Sequence, residues 1–178
     1  MLAVGAIWAA AEALLFVVVP DVWVGLVAIR APRRAAATLA SIVLGAAAGA
    51  ALLWLAVAAG FQLGPIIAAL PGLSARDVAQ VEAELGTQGS LAFLNGPLQG
   101  LPVKIYIHEA SRLGTSLPEL LLFVALNRIE RIAPFTIVLA VAGTLFSGFV
   151  DRHRVPVTAG YLVSWAAFYA WYFVARAA

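Results

Sequence analysis

Residues 93–112 read FLNGPLQGLPVKIYIHEASR, and the rest of the chain is best understood from there. Two prolines, two glycines, two amides, Lys104, His108 and Glu109 sit together in a chain that is otherwise 63% hydrophobic and 11% charged, with mean hydropathy +0.99. Soluble domains carry about 45–50% apolar and about 25% charged residues, so the solvent expected for most of this chain is lipid. Between Leu91 and Ile107 each apolar flank is too short to span a bilayer, because a helix rises only about 1.5 Å per residue and the hydrocarbon is about 30 Å thick. The segment 90–112 is therefore expected to enter the membrane and return as a re-entrant hairpin, with Asn95, Gly96, Pro97, Gln99, Gly100 and Pro102 at its tip. Asn95 and Gln99 are the side chains expected to satisfy backbone groups freed by the turn.

Residues 1–29 pose the same question. The run is apolar except for Glu12 and the pair Pro20-Asp21. Proline removes a backbone donor and an aspartate is costly in lipid, so helix, break, helix is the expected shape and a second hairpin results. The run has no basic leader and no small-residue cleavage site, and reads as mature protein rather than a signal peptide. Arg30, Arg33 and Arg34 around Pro32 then mark a cytoplasmic turn.

Residues 35–61 carry no charge and form the clearest spanning helix. Ser41, Gly45 and Gly49 recur every four residues, a small-residue stripe against which another helix can pack closely. After Pro65 and Pro71-Gly72, residues 74–86 read as a short amphipathic surface helix. Ser74 and Asp77 form its capping box and Gly86 its stop; Val78, Val81 and Leu85 share its apolar face. Ser116 and Glu119 suggest a second capping box opening a transmembrane helix over 116–150, kinked at Pro134. Residues 155–175 form a last span, whose cluster of Trp165, Phe168, Tyr169, Trp171, Tyr172 and Phe173 suits an interfacial anchor. Two hairpin-plus-helix halves result, expected to enter from opposite faces as inverted repeats. The fold class is thus an all-α integral membrane protein, a single domain with one additional C-terminal span.

The segments E-A-L-L-F-V-V-V-P-D and N-G-P-L-Q-G-L-P-V-K-I-Y, followed by a helix with paired arginines, resemble the DedA / VTT-domain (SNARE-associated Golgi protein) superfamily, as a divergent short bacterial member. Lys104 stands after the prolines where many members carry arginine. The resemblance implies a multi-pass protein of the bacterial cytoplasmic membrane that moves polyprenyl phosphate, such as undecaprenyl phosphate, or phospholipid between leaflets. It also implies that Glu12 and Asp21 of the first hairpin and Arg128 and Arg131 of the second half carry that function.

The charged residues point the same way on their own chemistry. Arg128 and Arg131 lie three apart on one helical face, so both guanidinium groups are expected to reach one phosphate or one carboxylate. Lys104 either presents a point charge to that phosphate or snorkels to the interface. Glu12 and Asp21 are expected either to bind ligand or protons or to form a buried structural pair. His108, Glu109 and Arg112 are expected on a solvated rim. The chain has no cysteine, and no metal-ligand spacing, nucleophile-base pair, nucleotide loop or basic-aromatic stripe is evident. No metal, no cofactor, no enzymatic activity and no nucleic-acid partner are therefore expected. Two other readings stay open: a proton-coupled exporter of small cations, and a non-transporting scaffold whose small-residue stripe supports a homo-oligomer.

Overall fold

The computed structural model describes residues 1–14 and 18–177, with the side chains of residues 97, 98, 176 and 177 outside that description. Pro97, expected at the hairpin tip, is one of these. All regular structure among the described residues is helical: α1 (Leu2–Leu14), α2 (Asp21–Arg30), α3 (Ala35–Ala58), α4 (Gly64–Ala68), α5 (Ala75–Gln88), α6 (Gly96–Gln99), α7 (Val103–Arg112), α8 (Leu117–Leu145), α9 (Ser147–Arg152) and α10 (Arg154–Ala177). Short 3₁₀ turns cover Pro32–Arg34 and Gly89–Leu94. Among the described residues two helices are long and apolar enough to cross a membrane, Pro32–Ala58 and Arg154–Ala175; α8, expected as a third span, is not one of them.

The small-residue stripe of α3 receives α1. A Cβ on Gly45 would overlap the carbonyl oxygen of Ala6 and lie 2.7 Å from the Ala6 Cα, and one on Gly49 would lie 2.5 Å from the carbonyl oxygen of Ala10. Only glycine permits backbones this close. The matched order, Ser41 by Gly5, Gly45 by Ala6 and Gly49 by Ala10, makes the two helices parallel. Trp23 Nε1 donates to the Met1 carbonyl at 3.2 Å, and Arg34 Nη1 lies 3.3 Å from Met1 Sδ. Both open ends of the α1–α2 pair therefore sit at the arginine turn. With 13 residues, α1 is about 20 Å long against about 36 Å for the 24 residues of α3, so the pair reaches only part of the way along it.

α8 runs the other way. Trp54 near the end of α3 donates from Nε1 to Thr115 O at 3.0 Å, just before α8 begins, and Gly143 near its end packs on the carbonyls of Ala28 and Ile29. The 30–34 and 143–151 segments line a common hollow, so the two arginine-rich turns share one end of the molecule. The second broken segment attaches from the opposite end: Asn127 Nδ2 donates to Phe93 O at 2.6 Å midway along α8, while α7 returns towards Thr115.

Several local expectations change. The capping box at Ser74 forms, with Asp77 Oδ2 accepting from Ser74 N at 2.8 Å. The helix stops at Gly89 instead of Gly86, since Gly89 takes the positive φ (58°) that ends the run and Gly86 stays helical. The apolar face of α5, expected to rest on a membrane surface, is buried in protein: Val81 and Leu85 belong to the core. Ser116 makes no side-chain cap, and the Glu119 carboxylate instead accepts from Ser90 Oγ at 2.6 Å. The expected single helix over 116–150 ends at Leu145, and α9 follows separately. Pro134 lies inside α8.

Candidate functional site

The break between α1 and α2 frees backbone groups, and aromatic side chains satisfy them. Trp8 Nε1 donates to Val18 O at 2.8 Å, and Val19 N donates to Tyr169 Oη at 2.7 Å. Tyr161 Oη donates to the carbonyls of Asp21 (3.2 Å) and Val22 (3.1 Å). Pro20 accepts from Trp23 N and Val24 N and opens α2, leaving Asp21 in the first turn, where the helix dipole favours a negative charge. The break is thus held in part by α10, the element expected as a last span with an interfacial aromatic anchor.

Glu12, at the end of α1, and Asp21, at the start of α2, both border a cavity of about 230 Å³. Lys104 of α7 and Arg131 of α8 border it as well. Trp165, Phe168, Tyr169 and Tyr172 of α10 form its aromatic wall, and Gly96, Gly100, Leu101 and Pro102 of the second broken segment close another side. Four of the five charged residues expected to act together therefore do meet. Asp21 and Arg131, which touch across this cavity, are 110 residues apart in the chain.

Arg128 is the exception. It is fully buried (0% exposed), hydrogen-bonded through Nη2 to Glu12, and absent from the cavity lining. Its Nε and Nη1 have no hydrogen-bond partner. The expectation that Arg128 and Arg131 grip one phosphate together is corrected. Three residues of helix turn through about 300°, which leaves the two side chains about 60° apart around the axis. Packing uses that difference to place Arg128 inward while Arg131 stays partly open (26% side-chain exposure). Arg131 Nη2 lies 3.2 Å from Asp21 Oδ2 and 3.3 Å from Oδ1, a long and partly solvated contact. Glu12 and Asp21 are thus each committed to a different arginine.

Lys104 is 1% exposed and within electrostatic reach of Glu12 and Arg128, so it does not snorkel to an interface. The tip amides also differ from expectation. Asn95 Nδ2 donates to Gln88 Oε1 at 2.8 Å, and Gln99 Oε1 accepts from Gln80. Both dock the segment onto α5 and leave its own backbone to other partners. Gly96 is required by the ring of Tyr106, whose Cε2 would lie 2.7 Å from an added Cβ. Gly100 supplies the left-handed turn (φ 70°) between α6 and Pro102.

Of the solvated rim expected at His108, Glu109 and Arg112, only Arg112 is exposed; His108 and Glu109 are buried. His108 Nδ1 and Glu109 Oε1 are 2.8 Å apart and both residues are buried; Arg112 Nε donates to Glu109 Oε2 at 2.8 Å and Nη2 to Glu82. α5 covers this face of α7, which the local sequence does not announce. The aromatic wall does carry a sequence signal: Trp165, Phe168, Tyr169 and Tyr172 follow i, i+3, i+4, i+7 spacing and share one face of α10.

The site is a small, mixed-charge hollow with an aromatic side; among the described residues two helices are long and apolar enough to cross a membrane. No known protein family, curated protein or solved structure matches the chain.

Proposed function

We propose that this chain is a multi-pass membrane protein of the DedA / VTT kind that carries a phosphate-bearing lipid between leaflets. The observation behind this reading is the convergence of Glu12, Asp21, Lys104 and Arg131 on one cavity bordered by two broken segments. Membrane residence is supported by the outer faces of α3, α8 and α10, where Leu44, Ile137, Val138, Val163 and Trp171 are each more than 60% exposed. A soluble protein rarely leaves so continuous an apolar surface in water. On this reading α1–α2 and residues 90–112 are re-entrant hairpins entering from opposite faces, and non-helical backbone is tolerated because it lines a protected cavity.

In the proposed cycle a lipid phosphate enters the cavity and displaces Asp21 from Arg131, whose guanidinium then binds it in two-point fashion. Lys104 adds charge without geometry. Protonation of Asp21, or its return to Arg131, would set occupancy. The Glu12–Arg128 pair holds α1 to α8 behind the site. A small organic cation is the competing substrate, favoured by two carboxylates beside an aromatic wall.

The test is translocation of fluorescent phospholipid and of polyprenyl phosphate in liposomes containing the purified chain. Arg131→Lys keeps charge and loses the planar fork, so the rate should fall about tenfold, the equivalent of roughly 1.4 kcal/mol for one charge-assisted hydrogen bond. Asp21→Asn keeps the shape and removes the ionisable group, so any pH dependence of the rate that arises at this carboxylate should disappear. Wild-type behaviour from both variants would refute the lipid site, and uptake of organic cations in its place would establish the exporter.

Topology is checked separately. The chain has no cysteine, so single cysteines at Arg152 and Thr87, both exposed, report sidedness directly. Cytoplasmic labelling of the first and external labelling of the second is expected from the arginine bias. Labelling of both from one side would remove the inverted arrangement.

A further inference from the structure

The arginine turn is more than a topology signal. Arg30, Arg33 and Arg34 border a hollow of about 530 Å³ together with Thr144 and Ser147. All three arginines are exposed, and none forms an ion pair with an acid among the described residues. Asp151 also borders the hollow, but its carboxylate is engaged by Arg154 at 2.8 Å. The net character of the hollow is strongly cationic.

A second hollow of about 450 Å³ adjoins it, sharing Ile29, Gly143 and Val150. Its other borders are entirely apolar: Leu139, Ala142, Phe146, Phe149 and Val157. Phe146 and Phe149 are 62% and 60% exposed. The close approach of Gly143 to the Ala28 and Ile29 carbonyls joins the two hollows at the α2–α8 contact. A cationic bowl continuous with an apolar trough is complementary to one kind of ligand, an amphiphile with an anionic head. A free phosphate would use only the bowl, and an acidic protein would leave the trough uncovered.

We infer that this end of the molecule binds an anionic phospholipid, its head on Arg30, Arg33 and Arg34 and an acyl chain along Phe146 and Phe149. The site is separate from the cavity between the broken segments, and its ligand is a resident lipid instead of cargo. Basic pockets between helices at a membrane surface hold anionic heads in this way, each arginine adding a modest attraction. Bound lipid would tie α2, α8 and α9 together where α8 ends and the chain turns. The inference rests on the membrane residence proposed above, though not on lipid transport.

The test uses the purified full chain in nonionic detergent, incubated with equimolar phosphatidylglycerol and phosphatidylcholine of identical acyl chains, with native mass spectrometry of what remains bound. Retention of phosphatidylglycerol over phosphatidylcholine by about tenfold or more is expected from three arginines near the head. The R30Q/R33Q/R34Q variant should abolish the preference, and because these residues are exposed and form no ion pair it should elute as the wild type does. F149A should weaken retention of both lipids and keep the preference. Equal retention of the two lipids, an unchanged preference in the triple variant, or displacement of phosphatidylglycerol by excess glycerol phosphate would each overturn the inference, the last assigning the bowl to free anions. Alkaline extraction of the chain from membranes separates the two readings. Release into the supernatant overturns membrane residence and this site with it, whereas retention in the pellet with no lipid preference overturns this site alone.

Discussion

Glu12→Gln should remove most of the folded protein, and should do so more severely than Arg128→Gln. Glu12 is 2% exposed, and both cations within its reach, Arg128 at 0% and Lys104 at 1%, are buried with it. Neutralising Glu12 leaves those two positive charges inside with Asp21 as the next acid, and Asp21 is already paired with Arg131. Removing one partner of a buried ion pair costs about 3–5 kcal/mol, a large share of the roughly 5–15 kcal/mol that stabilises an ordinary domain. Arg128→Gln is milder because Lys104 remains to compensate Glu12. The double variant E12Q/R128Q should recover part of the loss of E12Q alone, since it removes a buried cation together with the anion that balanced it. Thermal denaturation of detergent-purified protein, followed by the monodisperse fraction on size exclusion, measures all three. A wild-type midpoint for Glu12→Gln would show that the pair contributes nothing to the fold.

Gly45→Leu should be nearly as damaging, for a steric reason. The added Cβ would overlap the Ala6 carbonyl oxygen, with the Ala6 Cα at 2.7 Å, so no flexible side chain can move aside. α1 must separate from α3 instead, which draws Glu12 away from Arg128 on α8. Overpacking costs typically about 1–3 kcal/mol and occasionally more, and here the loss of the buried pair adds to it. Gly86→Ala is the matched control. That glycine is also helical, nothing lies within 4 Å of its added Cβ, and alanine should stabilise α5 by up to about 1 kcal/mol. Opposite shifts in melting midpoint are expected. Equal, small effects from both would show that the α1–α3 contact is looser than the backbone geometry implies.

The two substitutions mark how far the chain can be read from its letters. Gly45 and Gly49 at a spacing of four are visible as a stripe, because small-residue packing depends on local periodicity. Their partner, α1, is not visible, since any apolar helix could have docked there. The Ser74–Asp77 cap is legible for the same local reason; at Ser116 no side-chain cap forms, and the Glu119 carboxylate expected in the box is taken by Ser90, 29 residues away. His108 and Glu109 look solvated beside Arg112 until α5 folds over them. Arg128 and Arg131 look equivalent on a helical wheel and are not.

Local and compositional features were thus legible before folding: a helical chain with long apolar runs, two of the three expected spans being long and apolar enough to cross a membrane among the described residues, broken ahead of Asp21 and around Gly100–Pro102. Those outcomes follow from backbone donors, dihedral preferences and periodicity, all of which act within a few residues. Which charges face one another was settled by packing alone. Glu12 and Arg128 are 116 residues apart, and electrostatic pairing of buried groups depends on distance and exclusion of water, neither of which is written in chain order. The same packing turned the α10 aromatics from an expected anchor into the wall of the cavity, because Tyr161 and Tyr169 bind the backbone freed where α1 gives way to α2.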